Sequence, residues 1–262
     1  MYVVALTELG TSVEAEAAAL AVDLGTTLYE ARQLLLGALP AVVRTSAERA
    51  PAADLLQKLR ARGHEVVAFD GAAVVASAEM VAMRRFALEP GAVVALDMDG
   101  RVVERLPTGD VLALVRATHR TRTETHTETT QKKFSMGRAV LSGGLVMRKS
   151  VKSEEHSVAE QHEGLLYLFR ASGQTPWVLH ERGTNYTGLG PELAASSLQN
   201  FLAVIARLRA LAPAAAYDER LLKPRRLAPQ ALARSAGPAQ SSASGVDLLA
   251  HAIALSAARA RR

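Results

Sequence analysis

The segment Val93-Val94-Ala95-Leu96-Asp97-Met98-Asp99-Gly100 holds the pair of residues best spaced for chemistry. An Asp at the end of an apolar strand can attack phosphorus, and a second Asp two positions on faces the same way and can act as general acid. In that reading Asp97 is the nucleophile and Asp99 is the acid. The same letters also spell a turn, because Asp-Gly is a favoured hairpin dipeptide. Other reactive sets are thinner. His119 and His126 stand seven residues apart, which in a strand puts them on opposite faces and off a shared metal. His156, His162 and His180 lack zinc-site spacing. Gly188-Leu189-Gly190 before Pro191 could open an anion-binding helix, but a tight strand-to-helix turn asks for the same glycines. The chain has no cysteine, which excludes thiolate ligands, thiol nucleophiles and disulfides and fits a reducing compartment. Neither Gly-x-Ser-x-Gly nor a P-loop occurs.

Charge is the other source of chemistry. The formal net charge is +5, unevenly spread: residues 1–70 carry six Lys/Arg against nine Asp/Glu, and residues 213–262 carry eight against three. Residues 116–152 hold nine basic side chains against Glu124 and Glu128. Within them Arg120, Arg122, Lys132, Lys133, Arg148 and Lys149 are the candidate binding residues. On a hairpin edge they would face a phosphate or an acidic protein surface. The competing reading is a solvated edge strand that charge keeps from aggregating. Phe134 is the one aromatic in this stretch, so base stacking has little to work with and nucleic acid is the less favoured partner.

The elements that must position these residues follow from periodicity and punctuation. Tyr2 to Glu8 reads as a strand. Val13, Ala17, Leu20, Ala21 and Leu24 fall on one face of a helix, capped by Thr11 or Ser12 and closed by Gly25. Leu28, Ala31, Leu34 and Leu35 mark a second helix that restarts at Thr26 or Thr27. Ala41 to Arg44 is a strand, Leu55, Leu56 and Leu59 lie on a third helix ended by Gly63, and Glu65 to Phe69 is a strand. Residues 71–90 read as a linker. From 91 the period shifts towards two, with strands at 93–96, 101–105 and 111–117. Thr at alternate positions from 121 to 129 suits a long water-facing strand. Further strands are expected over 134–147, 165–170 and 177–179. A helix from Pro191 presents Leu198, Phe201, Leu202, Ile205 and Leu208, and Pro213 ends it. Residues 214–245 read as a flexible linker. Ser244 and Asp247 then form a capping box, opening an amphipathic helix over 246–262. A free helix of that length is marginal in water, so it must pack on its own domains, on another protein, or on an anionic membrane surface. No run approaches the ~18–20 apolar residues of a spanning helix, and the start has no leader-like pattern.

Three resemblances accompany this reading. The order β-α-α-β-α-β over residues 2–70, with Leu28-Tyr29-Glu30-Ala31-Arg32 and Gly63-His64-Glu65-Val66, resembles the C-terminal domain of the bacterial ribosomal stalk protein and implies a small α/β sandwich. That family docks translation factors on a basic first-helix face. Here residues 11–24 hold Glu14, Glu16 and Asp23 and no Lys or Arg, so the likeness carries a fold and no binding residue. The strands of 91–212 with their closing helix resemble a pleckstrin-homology-like barrel, which implies lipid headgroups, peptides or partner domains as ligands. Asp97-Met98-Asp99-Gly100 resembles the first motif of the haloacid-dehalogenase-like phosphatases. That family follows Gly with Thr, where Arg101 stands here, and alternates helices and strands downstream, where this chain runs strand after strand. The expectation is therefore an α+β protein: a βααβαβ sandwich over 1–70, then a mainly antiparallel, PH-like β domain over 91–213 closed by a helix. It is expected to be a cytoplasmic, non-catalytic interaction or scaffolding protein with a protein partner and no cofactor. The alternatives are binding of nucleic acid or an acidic surface through 116–152, and a phosphatase using Asp97 and Asp99.

Overall fold

The computed structural model describes residues 1–134, 148–222 and 239–262, and within 122–160 and 239–241 it describes the backbone alone. The described residues fall into two compact units, one of 1–120, 162–222 and 242–262, the other of 121–134, 148–161 and 239–241.

The first unit opens with β1 (Tyr2–Glu8), α1 (Val13–Leu24), α2 (Leu28–Leu36), β2 (Ala41–Ser46), α3 (Arg49–Ala61) and β3 (Glu65–Asp70). Local signals fix these boundaries. Ser12 Oγ accepts the Ala15 N–H, and Gly25 ends α1 at φ 66°. Thr27 and Glu30 cap α2 reciprocally. The three strands form an antiparallel sheet in the order β2-β1-β3. Both faces of β1 are covered: Val4 and Leu6 pack under α1 to α3, while Val3 and Ala5 face the other way. That explains its unbroken apolar run. Where the loop after β1 meets the turn after α3, a Cβ on Gly10 would lie 2.0 Å from the Gly63 carbonyl oxygen, so only glycine fits.

Residues 71–90 are not a linker. They hold β4 (Val81–Ala82) and β5 (Arg85–Glu89), and Met80, Met83 and Phe86 are buried. Three apolar anchors spaced by three residues draw this stretch into the core. β5 forms an antiparallel sheet with β6 (Ala92–Leu96) and β7 (Val102–Pro107). A six-stranded sheet holds β8 (Val111–Phe134), β9 (Arg148–Arg170), β10 (Trp177–His180), β11 (Ala216–Leu221), β12 (Ala239–Ser241) and β4. Its order is β11-β8-β9-β10-β4, with β12 on β8. Among the described residues the protein thus mixes helices with several sheets, none of them closed. The far parts of β8 and β9, from Thr121 and up to Gln161, belong with β12 to the second unit. The strand expected over 134–147 falls, past Phe134, outside the described residues.

Helix α4 (Ser197–Leu211) buries Phe201, Val204, Ile205 and Leu208 against Phe86, Val93 and Leu106 of the small sheet and Leu114, Leu166 and Trp177 of the large one. It begins at Ser197, not Pro191. Residues Tyr186–Glu192 make tight 3-10 turns instead, with Gly188 so close to Phe86 that a Cβ would lie 2.3 Å from the Phe86 carbonyl oxygen. The apolar face is rotated from the expected one, since Leu198 and Leu202 are exposed.

Helix α5 (Ala243–Ala260) settles where the C-terminal segment goes. Leu249, Ala250, Ile253 and Ala254 pack on Val115, Leu165, Tyr167 and Val178 of the large sheet. Ala252, flanked by Leu248 and Leu255, packs on Val3, Ala5, Val67 and Phe69 of the first sheet. The helix is a layer between two sheets, and its alanines let both approach. Most of its apolar surface is therefore used inside the protein. Nor is 214–245 wholly a linker, because β11 lies in it with Leu221 buried; residues 223–238 are outside the described ones. Among the described residues no helix is long and apolar enough to cross a membrane.

Candidate functional site: an arginine-lined trough beside β3

Asp97 sits in the β6–β7 turn. Its N–H donates to the Arg101 carbonyl (2.9 Å), its Oδ1 accepts the Arg101 N–H (2.8 Å), and Gly100 closes the turn at φ 84°. The carboxylate is thus engaged by its own hairpin, and β6 lies between two antiparallel neighbours. Among the described residues no three His, Asp or Glu gather to hold a metal ion.

Of the basic candidates, Arg120 has a described backbone role. Its N–H donates to Ser242 Oγ (2.9 Å) and its carbonyl accepts the Ser242 N–H (2.9 Å), which ties β8 to the start of α5. The backbones of Arg122, Lys132 and Lys133 run in β8, and those of Arg148 and Lys149 in β9. Their side chains lie outside the described residues.

Two buried polar clusters escaped the spacing argument. In one, Tyr167 O–H donates to Asp247 Oδ1 (2.7 Å), and the phenol oxygen lies 2.7 Å from His119 Nε2. Asp247 Oδ2 accepts from Ser77 N–H (2.9 Å) and Ser77 Oγ (3.2 Å). All four residues are buried. Burial, and then the Asp247 charge, hold the Tyr167 phenol well above its ordinary range. Asp247 is therefore not the capping-box partner of Ser244; buried donors on β9 and before β4 claim its carboxylate. The sequence signal was a lone acid in the apolar run Val246-Asp247-Leu248-Leu249.

In the second cluster Arg62 grips buried Glu16 with Nε (3.0 Å) and Nη2 (2.8 Å) and reaches Asp23 Oδ2 (2.7 Å). Gly10 N–H donates to His64 Nδ1 (3.1 Å), which leaves the imidazole proton on Nε2. That atom faces Glu16 Oε2 at 2.8 Å, off the line a hydrogen bond needs. Two of the three acids of residues 11–24 thus turn onto Arg62.

Open to solvent is a different arrangement. β3 ends its sheet, with α3 along one face and α5 along the other. A trough of about 360 Å³ follows it, floored by Val67 and Ala68 and walled by Leu255 and Ala258, with Arg60, Arg259 and Arg262 around it. Arg60 Nε and Nη2 both donate to the Val66 carbonyl (3.1 and 2.9 Å). Burial first, and the neighbouring Arg259 guanidinium second, pull the Arg60 guanidinium below its ordinary value, against the pull of Glu65. Arg259 Nη1 lies 3.4 Å from Glu65, and Arg262 has no acidic contact among the described residues. Three guanidinium groups therefore stand against one acidic side chain, a surplus suited to carboxylates or phosphates.

No protein family model matches the chain, and neither a curated protein nor a solved structure matches it.

Proposed function

We propose that the protein is a cytoplasmic, non-catalytic interaction module that holds an acidic segment of a protein partner in the trough between β3 and the end of α5. The observation that carries this reading is the surplus of Arg60, Arg259 and Arg262 over Glu65 around an apolar floor. Apolar contact supplies adhesion there and the arginines supply selection by charge. By contrast, the acids best spaced for phosphoryl chemistry close a turn, and the buried His and Tyr are bonded to one another. A stalk-protein-like first domain is supported by the order β1-α1-α2-β2-α3-β3 and its antiparallel sheet. A PH-like second domain is supported by α4 covering the core shared by β5–β7 and β8–β10.

The test is fluorescence anisotropy of a labelled peptide alternating Glu and Val, titrated with the full chain at low and high salt. A peptide alternating Lys and Val is the control. Binding of the Glu peptide that weakens as salt rises is expected, because exposed charges are screened. Equal binding of the two peptides contradicts the proposal.

A further inference from the structure

β3 pairs with β1 and, among the described residues, with no strand on its other side. Arg60 reveals which backbone groups face outward. It donates to the Val66 carbonyl, so that carbonyl points away from β1. In an antiparallel strand one residue's N–H and C=O point to the same side, and the side alternates along the chain. Ala68, two residues on and opposite Val4, therefore turns both its N–H and its C=O outward. Neither a proline nor a bulge protects the edge at this point: β3 has no proline, and its register irregularity lies at its start, opposite Leu6 and Glu8. Arg60 covers Val66 and leaves Ala68, which is only partly buried.

The walls differ in chemistry. Val67 and Phe69 face α5, and Val66 and Ala68 face the α3 side. On the α5 side stand Arg259 and Arg262. On the α3 side, past Ala68, a second groove of about 250 Å³ is lined by Ala52, Ala53 and Leu56, with Arg49 and Asp70 also on it. A strand laid along β3 would send alternate side chains to these two walls.

We propose that β3 accepts an extended acidic segment of a partner protein as a fourth strand. Its backbone pairs with Ala68, its acidic side chains reach Arg259 and Arg262, and its small apolar side chains enter the groove of Ala52, Ala53 and Leu56. This rests on the acidic-partner reading and adds the partner's conformation and the alternation of its side chains. Main-chain bonding to an open edge supplies affinity, and alternate side chains supply specificity. A second copy of this chain is a poor occupant, because edge-to-edge pairing would bring the same arginines together.

Two measurements on the full-length protein decide the matter. The first is amide exchange at Ala68 with and without the unlabelled Glu-Val peptide. The second compares two N-methylated forms of that peptide, one methylated at each Glu and the other at each Val. Strand addition slows Ala68 exchange at saturation by about tenfold or more, and one methylated form loses about tenfold in affinity while the other binds as before, since only alternate N–H groups face the edge. Equal affinity of both methylated forms without protection of Ala68 overturns strand addition and leaves the acidic trough standing. Failure of the unmethylated peptide to bind overturns both.

Discussion

The two ends of α5 carry charge in opposite ways. Near its start Asp247 is 3% exposed, and its oxygens take bonds from Tyr167 and Ser77. At its end Arg259 and Arg262 are exposed; Arg259 lies 3.4 Å from Glu65, and Arg262 has no acidic contact among the described residues. An acid whose bonds are all made inside the fold is committed to holding elements together, and removing a donor or acceptor there strands its partners. A guanidinium with donors to spare at the rim of a groove has capacity that a partner can use. One helix thus joins a structural end to a binding end.

Substitutions should separate the two. The largest effect is expected for Asp247→Ala, which removes the buried acceptor of the Tyr167 hydroxyl and of the Ser77 N–H and costs about 3 kcal/mol or more. Urea unfolding measures it; a variant as stable as the parent would mean that the network does not hold α5. Tyr167→Phe keeps the ring and loses the bridge between His119 and Asp247, for an expected cost of about 1–3 kcal/mol by the same measurement.

A third prediction concerns pH, midway along the helix. His251 lies against Phe69 (ring centroids 4.9 Å apart) and Phe169 (6.4 Å). Burial lowers its pKa below the ordinary 6.5, so in the folded protein it stays neutral where the unfolded chain takes a proton. The unfolded state then binds more protons as pH falls below 6.5, and stability falls with it. Between about pH 7.5 and about pH 5, a span that crosses ordinary histidine titration, the unfolding midpoint of the parent should drop by more than that of His251→Leu. Equal drops would remove His251 as the cause. The smallest stability effect belongs to the other end of the helix, where Arg262→Ala should change unfolding by no more than about 0.5 kcal/mol while weakening the acidic peptide.

The same contrast explains what was legible in the sequence. The elements of residues 2–70 were readable because their signals are local: Ser12, Gly25, the Thr27–Glu30 box and Gly63 each act within a few residues. The basic run of 116–152 was visible for the same reason. The joining of 71–90 to the core was not, since β4 and β5 are short and depend on Met80, Met83 and Phe86 meeting distant strands. α5 read as marginal because a free helix of its length is weak in water, and two sheets remote in sequence bury it. The trough draws Arg60 from α3, Val67 and Ala68 from β3, Arg259 from α5 and Arg262 from just past its end, so no contiguous pattern announces it. Asp247 fitted a local capping rule, and tertiary donors overrode it.

The most direct test is the affinity of the alternating Glu-Val peptide for the full chain carrying Arg259→Glu and Arg262→Glu, read with its urea midpoint. The account predicts a loss of about tenfold or more in affinity, as like charge replaces opposite charge, with stability near that of the parent. Unchanged affinity in a folded double variant would contradict it.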